Sequence, residues 1–392
     1  MKITVAIDSF KGSLTSSEAG NAVREGILRA VPDAEVSVYS LADGGEGTTE
    51  ALVSGLNGQY REVRVSDPRG REVCASYGIL PDGTAVIEMA AASGITLVSP
   101  EERNPMITTT FGTGQMIKDA VLYGCRKFII GIGGSATNDG GTGCLQALGF
   151  ELLDREGKMI SAGATGCSQI CLVNDDHVLP ELYKCSFHVA CDVKNPLCGE
   201  NGCSAVFSPQ KGADPEMIPV MDGYLKNFAE VTKKFNPSAD PDFPGAGAAG
   251  GLGFALVSYL NAETESGIEM IIRETGMEEK IKESDIVVTG EGCIDAQTAM
   301  GKAPSGIAKA AKKYGKTVIA FSGSVSRDAR ECNNHGIDAF FPIIRRICTL
   351  EEAMDKTISA GNLSDTAEQV FRMIKAVEDY IPKEKSSVVL LD

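Results

Sequence analysis

The sequence predicts an α/β protein in which a parallel-sheet domain is interrupted by a second, inserted α/β domain. Three observations predict this class. Strand-like runs alternate with helical patterns near both ends of the chain. Glycine-rich turns follow several of these runs, at the positions where parallel sheets bind their ligands. At 392 residues the chain also exceeds the length that one hydrophobic core usually serves, so two domains are expected.

The first elements form a unit of strand, crossover helix and strand. Ile3 to Ile7 is β-branched and apolar, apolar residues recur with helical spacing from Ala19 to Val31, and Glu35 to Leu41 is strand-like again. This order is typical of parallel sheets, whose ligands bind beyond the carboxyl ends of the strands.

The same order returns late in the chain. Asp285 to Thr289 is strand-like, Pro304 to Tyr314 predicts a helix that ends before a glycine, and Thr317 to Phe321 is strand-like. The two ends of the chain are therefore expected to build one sheet.

The middle of the chain predicts the inserted domain. Strand patterns lie near Val63, Val86 and Phe187, and a helix from Met116 to Tyr123 precedes a strand from Lys127 to Ile132. We predict one domain from residues 1–63 and 281–392 and an inserted domain from residues 64–280.

The composition excludes several function classes. With 37 Lys and Arg against 53 Asp and Glu, the formal net charge is −16, which repels nucleic-acid backbones and anionic lipid surfaces. The N-terminal apolar run ends at Asp8, too early for a signal peptide or a membrane span. We predict a cytoplasmic protein whose partners are small molecules; its oligomeric state is left open.

The scarcity of histidine narrows the chemistry. The three histidines are far apart, no Cys-x-x-Cys motif occurs, and twelve cysteines fall below the density of a disulfide scaffold. Catalytic triads need an imidazole base, so Ser-His-Asp and Cys-His mechanisms are disfavoured. Carboxylates, lysines and backbone N–H groups are the expected chemical groups.

Glycine-rich turns after strands can direct backbone N–H groups at an anion because no Cβ intervenes. Four such turns carry polar residues: Asp8 to Ser13, Ala42 to Thr48, Gly131 to Gly141, and Thr289 to Thr298. A further acid, Asp192, ends a strand-like run, and Lys211 precedes a glycine.

The Gly131 turn leaves a rival interpretation open. It matches G-x-G-x-x-A after a strand, and Asp154 lies about where a ribose-binding acid should be, which favours a nicotinamide-dependent oxidoreductase. Against this, further glycines from Asn138 to Gly143 stand where the dinucleotide-binding helix should already be formed.

Phosphoryl transfer fits the same turns without histidine. It needs cations to neutralise the moving charge, carboxylates to hold Mg²⁺, and a base near the attacking hydroxyl. The G-K at Gly301 and Lys302 is followed by Ala303, so the chain has no Walker A motif there and is not an ordinary P-loop enzyme.

Ordered motifs along almost the whole chain resemble those of the type I glycerate kinase family. They are DSFKGSLTS at Asp8, ADGGEGT at Ala42, FGTGQMI at Phe111, IGGSATNDGG at Ile132, CDVKNPLCG at Cys191, SPQKGA at Ser208, GAGAAGGLG at Gly245, GEGCIDAQT at Gly290 and GKAP at Gly301. The resemblance implies transfer of the ATP γ-phosphoryl group to D-glycerate with Mg²⁺, usually at the 2-hydroxyl, giving 2-phosphoglycerate. It also implies a two-domain α/β fold, one domain Rossmann-like, with the active site in the interdomain cleft.

The resemblance, together with the chemistry of the turns, gives each motif residue an expected role. Lys11 and Lys302 are expected to neutralise the glycerate carboxylate and the transferring phosphoryl group. Asp192 and Asp295 are candidates for general base or Mg²⁺ ligand, and the choice between them stays open. The expected substrate-binding residues are Asp8, Ser9, Asp43, Glu46, Gln297 and Thr298. The expected ATP-binding residues are Gly133, Gly134, Ser135, Thr137, Asp139, Lys211, Gly290 and Glu291.

One departure from the family pattern keeps a second alternative open. Cys293 stands where the family typically has Arg, a residue that could clamp a phosphate or carboxylate in two places. A catalytically impaired member that senses a metabolite is therefore the other alternative.

Overall fold

The computed structural model describes residues 1–42 and 44–380, so Asp43 lies outside the described residues. In chain order the strands are β1 Lys2–Ile7, β2 Glu35–Ser40, β3 Gln59–Ser66, β4 Glu72–Ile79, β5 Thr84–Glu88, β6 Lys127–Gly131, β7 Glu151–Leu153, β8 Leu172–Asn174, β9 Ser186–Ala190, β10 Glu263–Glu265, β11 Ile286–Ile294, β12 Thr317–Val325 and β13 Ala339–Pro342.

The α-helices connect these strands. In chain order they are α1 Ser16–Ala30, α2 Thr48–Leu56, α3 Ala90–Ser93, α4 Phe111–Tyr123, α5 Thr142–Leu148, α6 Ala164–Cys167, α7 Cys203–Phe207, α8 Met217–Phe235, α9 Ala248–Leu260, α10 Gly267–Glu274, α11 Met277–Glu283, α12 Ala303–Lys312, α13 Glu331–Asn334, α14 Leu350–Met354 and α15 Lys356–Tyr380. None of the helices in the described part of the chain has the length and apolar character needed to cross a lipid bilayer.

Residue contacts divide the chain into two compact units. The first contains Met1–Tyr39 and Glu278–Asp392, and the second contains Ser40–Met277. The domain boundaries predicted from the sequence lie at residues 63–64 and 280–281, and they remain a prediction.

The first unit is a sheet of order β13-β12-β11-β1-β2, with parallel pairing from β13 through β1. Both ends of the chain contribute strands to it, as predicted. Helix α1 begins with a capping box, in which Thr15 and Glu18 satisfy each other's backbone N–H groups. A Cβ built on Gly26 would lie 2.0 Å from the carbonyl oxygen of Ser364, so glycine lets α1 approach α15 closely.

The second unit contains a six-stranded sheet of order β10-β9-β6-β5-β4-β3. Strands β5, β6, β9 and β10 pair in parallel, whereas β3 and β4 extend the sheet as an antiparallel hairpin. The predicted helix before Gly124 is α4, and Gly124 ends it with a φ of 114°. The carboxyl ends of the four parallel strands lie at one edge, and this edge carries the polar residues described next.

Candidate functional site

Two glycine-containing segments pack against each other at the carboxyl end of β6, and one of them also packs against the end of β9. A Cβ built on Gly131 would lie 2.7 Å from the Gly44 carbonyl oxygen, and one on Gly133 would lie 2.6 Å from the Cα of Gly45. Gly44 has a φ of 81°, and its own Cβ would lie 2.9 Å from that of Ala190. Side chains at these positions would push the segments apart, so the glycines permit this arrangement.

The segment after β6 exposes only its first residues. Gly133 is partly accessible and Gly134 is exposed, whereas Ser135 and Thr137 are buried. Gly134 also has a φ of 72°, which turns the backbone sharply. Of the predicted ATP-binding residues in this segment, Gly133 and Gly134 are therefore the ones that can present backbone atoms to a ligand.

Asp139 is buried in the same segment and is surrounded by hydrogen-bond donors. Its Oδ2 accepts from Thr110 N at 2.8 Å, Thr110 Oγ1 at 2.9 Å, Gly143 N at 3.3 Å and Thr109 Oγ1 at 3.4 Å, and its Oδ1 accepts from Gly141 N at 3.1 Å. Burial raises the pKa of Asp139, and these hydrogen bonds oppose the rise. Asp139 can therefore affect ligand binding only indirectly, by fixing the conformation of the backbone to which it is hydrogen-bonded.

Lys211 supports this segment from the protein interior. Its side chain is 2% exposed, and its Nζ donates to the carbonyl oxygen of Thr137 at 2.7 Å. Burial lowers the pKa of Lys211 to about 8, although the negative charge of Asp139 opposes that shift. Lys211 therefore stabilises the segment through its hydrogen bond to Thr137, and its buried position keeps it from contacting a bound ligand directly.

Two more acids lie at the carboxyl ends of the parallel strands in this unit. Asp192 follows β9, and its Oδ1 accepts from the backbone N–H of Gly267 at 3.2 Å, at the start of α10. Glu88 ends β5, and its Oε1 accepts from Thr49 N at 2.7 Å. The sequence interpretation missed Glu88, although an acid that ends a strand-like run was the available signal. Glu46 is exposed in the turn that leads to α2.

The first unit brings Glu291, Asp295, Thr298 and Lys302 together at the carboxyl end of β11. Lys302 Nζ lies 3.4 Å from Glu291 Oε2 and 3.7 Å from Asp295 Oδ1. Thr298 Oγ1 donates to Glu291 Oε1 at 2.6 Å. Asp295 Oδ1 also accepts from Thr298 N at 3.1 Å, so the carboxylate shapes the turn that carries the threonine.

The environment of this cluster perturbs two of its pKa values. Burial raises the pKa of Glu291, against the hydrogen bond from Thr298 and the charge of Lys302. For Lys302, burial alone would lower the pKa, but the negative charges of Glu291 and Asp295 outweigh it and raise the pKa. Lys302 therefore stays a cation, with its side chain 35% exposed.

The end of β1 adjoins this cluster. Asp8 N donates to the carbonyl oxygen of Gly290 at 2.9 Å, and Asp8 Oδ1 accepts from Ser9 N at 2.7 Å. Gly292 lies close to the β1 turn, since a Cβ there would be 3.6 Å from Lys11 N. Two predicted turns thus meet within this unit.

The remaining predicted residues lie nearby. Lys11 is exposed, and Gln297 N donates to Asp295 Oδ1 at 2.9 Å. Cys293 is exposed in β11, two residues before Asp295.

A match to a family model covers residues 3–375 of the chain, and its description is "Glycerate kinase family". The match includes every sequence-predicted site residue. The chain belongs to the glycerate kinase family. The resemblance drawn from the ordered motifs is confirmed.

Individual members of the glycerate kinase family are similar over nearly their full length. The glycerate kinase of Haemophilus influenzae is 45% identical over 375 residues, covering 95% of this chain and 99% of the relative. The glycerate 2-kinase of Escherichia coli is 48% identical over 354 residues, covering 90% and 93%. A crystal structure named for glycerate kinase 2 of Salmonella typhimurium LT2 superposes with a TM-score of 0.87 at 44% identity, covering 97% of this chain and 99% of that one.

The oxidoreductase alternative gains no support from this family membership or from the backbone. A dinucleotide-binding helix should start within the glycine motif, but α5 begins only at Thr142. Asp154 is partly exposed beside a turn and accepts from Glu156 N and Lys158 N through Oδ1. The second alternative, an impaired sensor, likewise gains no support.

The donor chemistry in this glycerate kinase family member suits a magnesium ion. Within residues 1–42 and 44–380, no three His, Cys, Asp or Glu side chains are grouped to hold a metal by themselves. Mg²⁺ commonly takes one or two protein carboxylates, with substrate phosphates and water completing its shell. Asp295 at the end of β11 and Asp192 after β9, the two predicted metal ligands, each supply hard oxygen donors of that kind.

Proposed function

We propose that this chain transfers the γ-phosphoryl group of ATP to the 2-hydroxyl of D-glycerate, giving ADP and 2-phosphoglycerate. The observation that carries the proposal is the position of Lys302, a half-buried cation held by two carboxylates at the carboxyl end of β11. Phosphoryl transfer depends on cations and carboxylates fixed around the moving group. In a chain of the glycerate kinase family, this cluster supports that chemistry without histidine.

In the first unit we assign charge neutralisation to lysine and proton transfer to a carboxylate. Lys302 would stabilise charge on the transferring phosphoryl group, and exposed Lys11 would pair with the glycerate carboxylate. Asp295 is a candidate general base for the attacking hydroxyl because it is partly exposed beside the lysine. Glu291 would hold Lys302 in place. Residues that would bind substrate at the same strand ends are Asp8, Ser9, Gln297 and Thr298, with Gly290 at the base of the turn.

In the second unit we assign phosphate binding to the backbone N–H group of Gly134, an exposed residue. Gly133 would position that group, because its own N–H donates to the Gly44 carbonyl oxygen at 3.3 Å. Buried Thr137, Asp139 and Lys211 would shape that turn from within, together with Ser135. Asp192 is the other candidate for general base, and Glu46 would contribute to substrate binding, as would Asp43.

We further propose that Mg²⁺ accompanies ATP, held by Asp295 or Asp192. When bound, the ion would neutralise charge on the phosphate oxygens. Asp295 is suited to this because Gln297 N and Thr298 N both donate to its Oδ1, so Oδ2 takes no part in these two hydrogen bonds. Which of the two aspartates takes the proton and which holds the ion is left open by the proposal.

The direct test incubates the protein with ATP, Mg²⁺ and D-glycerate and identifies the product by ³¹P NMR. The expected result is 2-phosphoglycerate with stoichiometric ADP. Formation of 3-phosphoglycerate would keep the kinase activity and reject the proposed hydroxyl. Absence of ADP release in the presence of glycerate would reject the function itself.

A thermal-shift experiment supplies an independent control. ATP with Mg²⁺ should raise the melting temperature because ligand binding stabilises the folded state, whereas NAD should leave it unchanged. A shift with NAD alone would contradict the proposed nucleotide.

A further inference from the structure

Glu88 lies at the centre of the second unit's sheet, at the carboxyl end of β5. In the parallel register it is paired with Gly131, the last residue of β6. The Gly133–Gly134 turn begins two residues after the end of β6. Glu88 therefore occupies the strand end directly beside the proposed phosphate-binding turn.

The carboxylate of Glu88 caps a helix that has no cap of its own. Helix α2 is preceded by Gly47, which has a φ of 93° and no side chain to accept from the first N–H groups. Glu88 Oε1 accepts instead from Thr49 N at 2.7 Å. A negative charge at this position also interacts favourably with the helix dipole.

The capped helix is continuous with the Gly44–Gly47 turn. Within that turn, Gly44 and Gly45 lie against Gly131 and Gly133, with no room for a Cβ on the β6 side. A shift of the α2 start would therefore be transmitted to Gly133 through backbone contacts.

Burial raises the pKa of the Glu88 carboxyl, against its hydrogen bonds to Thr49, and the charge of Glu46 adds to the rise. A carboxylate kept in such surroundings depends on its backbone donors. The capping role of Glu88 rests on the geometry of its contact with Thr49 N.

We propose that Glu88 is a positioning residue, whose carboxylate caps α2 and thereby fixes the Gly44–Gly47 turn against the Gly133–Gly134 turn that receives ATP phosphates. Its kinetic consequence rests on the proposed function, while its structural consequence does not. The class of ligand concerned is the triphosphate of a nucleotide.

The kinetic test compares Glu88→Ala, which removes the acceptor, with Glu88→Gln, which retains an oxygen for Thr49 N. We expect Glu88→Ala to raise KM for ATP by about tenfold and Glu88→Gln to stay within about threefold of the wild type. The matched control is Asp82→Ala at the opposite end of β5, where Asp82 Oδ1 accepts from Thr84 N at 3.0 Å. The control should leave KM unchanged. An unchanged KM in Glu88→Ala, or an equal loss in both Glu88 variants, would overturn the proposal.

The structural test measures amide hydrogen exchange over residues 44–56 in the wild type and the variants. Glu88→Ala should increase exchange there while leaving β6 protected, and Glu88→Gln should not. If Glu88→Ala does not fold, Glu88→Asp, whose carboxylate is one methylene shorter, should show the same local increase. Unchanged exchange overturns the capping role. This measurement needs no catalytic activity, so an inactive wild type would reject the proposed function and leave the positioning role to be judged separately.

Discussion

The two units use charge in different ways. In the first, Lys302 and Asp295 are partly exposed at the end of β11. In the second, Asp139 and Lys211 are buried and bonded to the backbone of the segment after β6, whose accessible residues are Gly133 and Gly134. The cluster at the end of β11 therefore presents charged side chains at its surface, whereas the segment after β6 is shaped from within by buried charges. Substitutions in the first should affect chemistry, and those in the second should affect stability and binding together.

The sharpest test of this contrast is Asp295→Asn. The amide retains an oxygen for the N–H groups of Gln297 and Thr298, so the turn should persist, but the negative charge is lost. We expect turnover to fall by about 10³-fold, the size of a lost general base or metal ligand, with an unchanged melting temperature. Coupled ADP release measures the turnover. Asp285→Asn is the control, since Asp285 is exposed at the opposite end of β11 and accepts from Lys2 N through Oδ2 at 2.7 Å. Near-normal turnover in Asp295→Asn removes it from both roles.

The second prediction concerns the buried charge of the other unit. Asp139→Ala would leave the N–H groups of Thr110, Gly141 and Gly143 without their acceptor inside the protein. The free energy of unfolding should fall by about 3 kcal/mol, measured by urea denaturation. Asp154→Ala, at a partly exposed residue beside a surface turn, should change it by less than about 1 kcal/mol. Wild-type stability of the Asp139→Ala variant would contradict the stabilising role of the buried charge in the second unit.

Lys302→Ala should lower kcat/KM for ATP by about 100-fold, because a positioned cation beside the transferring group is removed. Lys313→Ala, on an exposed residue that pairs with Glu278, is the matched control and should have no effect. Stability should change little in either variant, since both side chains are partly exposed. A loss of the same size in the control would show that the effect is not local to the cluster.

The last prediction is a pH dependence due to Lys211, whose effect within any one pH unit is the smallest of the four. Its pKa is about 8 in the folded protein and 10.5 in the absence of burial, so between these values the unfolded chain binds more protons. The free energy of unfolding should therefore rise with pH from about 8 to 10.5, and the full burial penalty should apply below pH 8. Subtracting the curve of Lys211→Met isolates this slope from other titrating groups. A flat difference curve would contradict the buried, pKa-shifted lysine.

The site in the first unit was largely predictable from the sequence because parallel strands place their following turns at one edge. The turns after β1 and β11 meet there, as the contact between Asp8 and Gly290 shows. The sequence could not show which polar residues are buried. An Asp or a Lys in a glycine-rich turn can contact either a ligand or the backbone, and Asp139 and Lys211 contact the backbone. Glu88 was missed because its strand, Thr84–Glu88, has the composition of a buried core strand and its partner at Thr49 is distant in sequence.

The packing of Gly44 and Gly45 onto Gly131 and Gly133 restricts how this protein can be re-engineered. Libraries built to change the accepted hydroxy acid would lose most of their members if these glycines were randomised, because every other amino acid carries the atom that has no space. Glu46, which is exposed in the same turn as Gly44 and Gly45, leaves the backbone untouched when it is replaced. Diversity placed there would alter the lining of the site while preserving its frame.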